Sequence, residues 1–135
     1  MDLYQRDGNQ KGLDEIEGSL GEMSLYHQTH LIYAHCISPE TATFPENWFS
    51  RAAEYEIDLS NNEKLTVYYP VPADLAISKL CANRDKDRKF VTMLIKNGIA
   101  SDKEIEQYIP EIKIAGKRNI CRINLSLCKA SAHTK

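Results

Sequence analysis

Near Val71 the hydrophobic pattern of this 135-residue sequence changes its period, and that switch limits the folds open to it. Upstream, Tyr55, Ile57 and Leu59 alternate with Glu54, Glu56 and Asp58. Alternation with a period of two describes a half-buried strand, here with one acidic face. Asn61-Asn62 supplies a turn, and Lys64 to Tyr69 returns as the second strand of a hairpin. Downstream, Pro72 suits a first helical turn, and Ala73, Ala76, Ile77 and Leu80 share one helical face. Asn83 to Asp87 is a charged stretch that either breaks this helix or continues it. Phe90, Met93 and Leu94 rebuild an apolar stripe, which Asn97-Gly98 closes. Ser101 and Glu104 have the spacing of a capping box, opening a short helix to about Ile109, before Pro110. Lys117 to about Lys129 is a last amphipathic helix, with Ile120, Ile123 and Leu127 as its apolar register.

Ahead of the hairpin, Met1-Asp-Leu-Tyr4 is a short strand or the end of one, and Gln5 to Gly12 is a turn or loop. Leu13, Ile16, Leu20 and Met23 recur at helical spacing, although Gly18 and Gly21 weaken that helix. Leu31 to Ile37 is a strand, and Pro39 and Pro45 make the following segment irregular. Strands in the first half and helices in the second define an α+β fold rather than a βαβ alternation. One domain over 1–135 is expected, with a sheet-rich half at 1–70 and a helical half at 71–130. In that arrangement a small mixed or antiparallel sheet packs on the helices.

The charge balance excludes some functions. A net charge of −2 and a pI near 6.1 argue against a general nucleic-acid coat or a strongly basic membrane binder. The apolar runs fall far short of the ~18 residues that cross a bilayer, and the polar stretch Met1 to Gln10 has no signal-peptide core. A cytosolic protein is expected. Cys36, Cys81, Cys121 and Cys128 form no CxxC or CxxH pair, so reduced packing residues are expected rather than a zinc site. Cys121 and Cys128, seven apart, fall on one helical face.

Two blocks of residues carry a resemblance. The first is Gly18-Ser-Leu-Gly-Glu-Met-Ser-Leu-Tyr-His27, followed by Tyr33-Ala34, Thr41-Ala42, Pro45, Trp48 and Arg51. The second is Asp74-Leu-Ala-Ile-Ser-Lys79-Leu-Cys-Ala82-Asn-Arg84-Asp-Lys86-Asp87, followed by Phe90-Val91. Together they resemble a family of bacterial nucleotidyltransferase-like proteins. That family looks related to the toxin nucleotidyltransferases of abortive-infection systems, within the polymerase-beta superfamily. The resemblance covers about Met1 to Ala100 and departs from the family pattern at Gln28, Leu31 and Cys36. It implies metal-dependent transfer of a nucleotidyl group from a nucleoside triphosphate to an acceptor. Lys79, Arg84 and Lys86 would hold phosphates with Asp87 orienting them, and Asp2 would bind Mg²⁺. By the same alignment the Gly-Ser phosphate turn and the first metal-binding acid would precede Met1. The implied enzyme is therefore shortened at its N-terminus and inactive or nearly so.

Each candidate also has a plainer reading. Lys79, Arg84, Lys86, Arg88 and Lys89, interrupted by Asp85 and Asp87, form either a triphosphate patch or a salt-bridged helix surface. Glu54, Glu56 and Asp58 hold either a third metal carboxylate or a solvated edge. Gly18-Ser19 sits in a helix-like segment and fits small-residue packing better than a catalytic turn. His27, His30 and His35 lack the spacing of a metal site. Trp48, Tyr55, Tyr68 and Tyr69 are either base-stacking or half-buried sheet residues. Two other functions stay open beside the enzyme: an interaction module that forms a homodimer, and a nucleotide or RNA binder without catalysis. The acceptor is open as well, whether RNA, protein or a small molecule.

Overall fold

The structure, a computed structural model, describes residues 2–3, 35–36, 42–59 and 62–134. The chain falls into two compact units, one formed by Met1–Thr41 with Tyr55–Val67 and the other by Ala42–Glu54 with Tyr68–Lys135. In the first, β1 (Asp2–Leu3) pairs in parallel with β2 (His35–Cys36), Asp2 opposite His35 and Leu3 opposite Cys36. The helix expected from Leu13 to Met23, together with Gly18-Ser19, His27 and His30, lies outside the described residues. Of the strand expected from Leu31 to Ile37, the described part is β2.

The hairpin forms where the alternation placed it, from β3 (Ala53–Asp58) and β4 (Lys64–Tyr69). The Leu59 amide donates to the Glu63 carbonyl at 2.8 Å, and Asn62 takes a left-handed φ of 65° to close the turn. The faces differ from expectation. Tyr55 is 60% exposed, and Tyr68 and Tyr69 are also exposed, so these tyrosines are not half-buried sheet residues. Glu54, Glu56 and Asp58 are exposed as well. Tyr68 donates to Glu54 at 3.4 Å, and Lys64 pairs with Glu56 at 3.6 Å.

The second unit opens on α1 (Trp48–Arg51). Phe44, Trp48, Phe49 and Tyr68 stack in sequence there, with ring centroids 4.8 to 5.6 Å apart. Four further helices follow: α2 (Pro72–Ala82), α3 (Asp85–Lys96), α4 (Asp102–Tyr108) and α5 (Ala115–Ala132). A 3₁₀ turn (Ile109–Glu111) extends α4 through Pro110. Pro72 stands at the start of α2, where its missing N–H costs no intrahelical bond. Gly98 ends α3 with φ 69°; its amide donates to Ile95 and that of Ile99 to Leu94, the paired bonds of a Schellman stop. Ser101 does stand at the N-cap of α4, but its side chain makes no capping hydrogen bond, so the capping box is not formed.

The core of this unit lies among α2, α3, α4, the 3₁₀ turn and α5. Ile77, Leu80, Val91, Ile105, Ile109, Ile112, Cys121 and Leu125 are its buried side chains, with Phe90, Ile95 and Tyr108 packed around them. Cys81, Cys121 and Cys128 are free and buried, as expected of packing cysteines. The buried face of α5 is not the expected one. Cys121, Asn124, Leu125 and Cys128 point inward, while Ile123 and Leu127 are 63% and 55% exposed. The fold class is α+β, with the helices gathered in the C-terminal half. Among the described residues no helix is long and apolar enough to cross a membrane.

Candidate functional site

Arg51, at the end of α1, is held by two carboxylates from distant parts of the chain. Its Nε and Nη2 donate to Asp74 at 2.9 and 2.7 Å. Its Nη1 and Nη2 donate to Glu111 at 3.0 and 3.1 Å. The guanidinium carbon lies 3.7 Å from the centroid of the Tyr108 ring, which supplies the third wall. Asp74 is 0% exposed, in the first turn of α2, where the helix N-terminus favours a negative charge. Two planar forks in register make the strongest kind of ion pair available to side chains. The hydrogen bonds to Asp74, against the opposing cost of burial and with help from Glu111, hold Arg51 above the ordinary arginine range. Glu111 also accepts the Asn47 amide at 3.1 Å, and its carbonyl accepts that of Glu46. The cage thus joins α1, α2 and the 3₁₀ turn.

Between α2 and α3 the chain turns at Asn83, with a left-handed φ of 58°. The charged stretch is therefore a break, and Lys79 and Lys86 stand on different helices rather than two turns apart on one. Asn83 is clamped. Its Oδ1 accepts from Asn124 Nδ2 at 2.9 Å and from Arg88 Nη1 at 3.0 Å. Asn124, buried on α5, also donates to the Leu80 carbonyl at 2.9 Å, and Lys117 Nζ donates to the Cys81 carbonyl at 3.3 Å. These donors satisfy carbonyls that the end of α2 leaves open. Here too the Cys81 and Cys121 side chains meet. The Cys121 thiol, opposed by burial and joined by Lys117, lowers the Cys81 thiol below its ordinary value, and Cys81 together with burial raises Cys121.

The cations at this elbow divide into held and unheld. Arg84, at the N-cap of α3, donates through Nε to Asp87 at 2.6 Å and through Nη2 at 3.3 Å, and Asp87 is buried. Arg88 pairs with Asp85 at 2.7 Å, and that hydrogen bond lowers the Asp85 carboxyl from its ordinary value. Lys86 is exposed and, among the described residues, has no ion pair. Lys79 Nζ lies 6.0 Å from the centroid of the Phe90 ring. Phe90 follows Lys86 by one helical turn on α3. Lys89, also exposed, follows Lys86 by three residues.

Carboxylates suited to a metal are scarce in this part of the chain. Asp74 and Glu111 are engaged by Arg51 and Asp87 by Arg84, and among the described residues no group of three His, Cys, Asp or Glu could hold an ion. Asp2 belongs to the first unit, and its side chain lies outside the described residues, as do those of His35 and Cys36. The Arg51 cage had no periodic signature, because its members lie 23 and 60 residues apart. Its one trace in the sequence is that Arg51 and Asp74 each sit in a block of the family resemblance.

This is an α+β protein with a pinned helix elbow that gathers cations in its C-terminal half. A family described as nucleotidyltransferase of unknown function (DUF6036) matches residues 14–112, most of the chain, and the chain belongs to that family. No curated protein and no solved structure matches it.

Proposed function

We propose that the elbow between α2 and α3 binds the phosphates of a nucleoside triphosphate, as part of metal-dependent nucleotidyl transfer to an acceptor. The observation that carries this reading is the division among its cations. Buried Asp87 fixes Arg84 in place, while Lys79 and Lys86 make no ion pair among the described residues. A salt-bridged surface spends its cations on neighbouring acids, whereas a phosphate site needs unspent ones. Family membership supports a nucleotidyltransferase-like function. Within this reading Asp2 is a ligand of Mg²⁺, and the family's kinship lies with the toxin nucleotidyltransferases of abortive-infection systems.

Binding and chemistry are tested separately. ATP should raise the melting temperature of the chain, and Lys79→Ala and Lys86→Ala should each weaken binding by about tenfold, the loss of one charge-assisted contact. Equal shifts in the parent and both variants would remove the elbow from nucleotide binding. Labelled nucleoside triphosphates with Mg²⁺ and RNA or protein acceptors then report transfer. ATP binding without label transfer would favour the reading as a nucleotide binder over the enzyme.

A further inference from the structure

Two of the buried cysteines face each other where the end of α2 meets α5. The approach is fixed on both sides. On one side Lys117 Nζ donates to the Cys81 carbonyl at 3.3 Å, and the Cys81 thiol donates to the Lys117 carbonyl at 3.8 Å. On the other, Asn124 Nδ2 donates to the Leu80 carbonyl and to Asn83 Oδ1, each at 2.9 Å. Lys117, Cys121 and Asn124 follow one another by four and three residues, so they share one face of α5. Cys121 is therefore the α5 side chain between the two contacts, and Cys81 lies on the α2 segment that makes both. They are 0% and 2% exposed, and both are free thiols. Cys128, the third buried cysteine, is directed to α3, where it donates to the Arg88 carbonyl at 3.4 Å.

We infer that Cys81 and Cys121 are a redox-sensitive dithiol, which a hydroperoxide converts to a disulfide tying the end of α2 to α5. The two thiols are unlike in a way that sets the order of events. The Cys121 thiol donates to the Cys81 sulfur and, with the Lys117 charge and against the cost of burial, favours the Cys81 thiolate, while Cys121 holds its own proton more tightly. Cys81 also stands at the rim of the core, since the next residues, Ala82 and Asn83, are exposed. Helix ends open locally more readily than helix middles, so a molecule little larger than water reaches Cys81 without unfolding of the whole unit. With hydrogen peroxide the Cys81 thiolate attacks one oxygen and the O–O bond breaks. The other oxygen leaves as hydroxide, which takes the proton that Cys81 lost and becomes water. Cys81 is then a sulfenic acid. The Cys121 sulfur attacks the Cys81 sulfur, the S–O bond breaks, and the hydroxide leaves as a second water with the Cys121 proton. Two thiols are oxidised to one disulfide, and one peroxide is reduced to two waters. The inference does not depend on the nucleotide reading.

Hydrogen peroxide on the reduced full chain tests it, followed by N-ethylmaleimide in urea to block the thiols that remain. Cys81 and Cys121 should both be blocked before oxidation and neither after it. Trypsin should then release Leu80–Arg84 joined to Asn119–Arg122, a pair that dithiothreitol separates. The oxidised chain should keep its helical circular dichroism, and its urea midpoint should rise, because the bond restricts the unfolded chain. In Cys121→Ser the reaction should stop at a Cys81 sulfenic acid, which dimedone traps; in Cys81→Ser the same dose should leave Cys121 unlabelled. Cys81 and Cys121 still open to N-ethylmaleimide after peroxide would overturn the inference. So would linkage of either peptide to Ile123–Lys129, which carries Cys128, in place of the expected pair, or a linked product that has lost its helical signal. Dimedone on Cys121 in Cys81→Ser at the rate seen for Cys81 would overturn Cys81 as the attacking thiol.

Discussion

Replacing Arg51 by Met keeps an aliphatic stem and removes the guanidinium that lies over Tyr108 and that Asp74 and Glu111 share. Glu111 is partly exposed and can turn to water, but Asp74 is 0% exposed and cannot. Its carboxylate would remain buried beside a helix N-terminus that offsets only part of its desolvation. Removing one partner of a buried pair costs about 3–5 kcal/mol. The Arg51 side chain is 20% exposed, so water can partly replace it, and the low end, about 3 kcal/mol, is expected. For a domain of this size that is a drop of roughly 12 °C in melting temperature. Urea titration gives the free energy directly, with an unchanged slope showing that the unfolded state is not what moved. Arg51→Met/Asp74→Leu should recover at least half of the loss, because an apolar pair removes the stranded charge. A loss below about 1 kcal/mol for Arg51→Met, the size of an ordinary surface pair, would refute the reasoning. So would a double variant no more stable than the single one.

Asn124→Leu should cost about 1–3 kcal/mol in the same titration by stranding the Leu80 carbonyl and one acceptor site on Asn83 Oδ1; no loss would mean that the clamp is idle. The Glu106 hydrogen bond raises Lys129, so the stability that Lys129 lends is complete below the ordinary lysine value near 10.4 and fades as pH climbs through the raised folded value. The melting temperature of the parent should therefore fall toward that of Lys129→Met as the pH rises above about 10, and a gap that stays constant as the pH rises would contradict the pairing. Ellman's reagent on the native chain should find Cys81, Cys121 and Cys128 unreactive until urea opens the core, since all three are buried; more than one fast thiol out of four would show the core to be looser than described.

The parts of this fold that were legible in the sequence are those set by local chemistry. Pro72, Asn97-Gly98 and the alternation around Tyr55 and Ile57 each act over a few residues, and helix starts, stops and the hairpin fall where they were expected. What failed depended on partners far along the chain. The inward face of α5 includes Asn124, which a hydrophobic pattern assigns to solvent. It is buried because Leu80 and Asn83, more than 40 residues away, accept its protons. With Asn124 inward, Ile123 and Leu127 are turned outward. The acidic face of β3 was read correctly, but the burial of Tyr55 on β3 and of Tyr68 and Tyr69 on β4 was not, since alternation identifies two faces without saying that one of them is covered. For the candidate site, the residue types and the Arg84–Asp87 spacing were visible. The break at Asn83, which sets Lys79 and Lys86 on separate helices, was left open by the sequence and follows from a left-handed residue held by two side chains.

Because Asn83 is gripped by Asn124 from one helix and Arg88 from another, the spread between Lys79 and Lys86 is governed from behind the surface that displays them. A change on the concealed side of the C-terminal helix would re-aim those ammonium groups without altering either lysine. Variants there offer a way to tune charge geometry while leaving the charged residues themselves untouched.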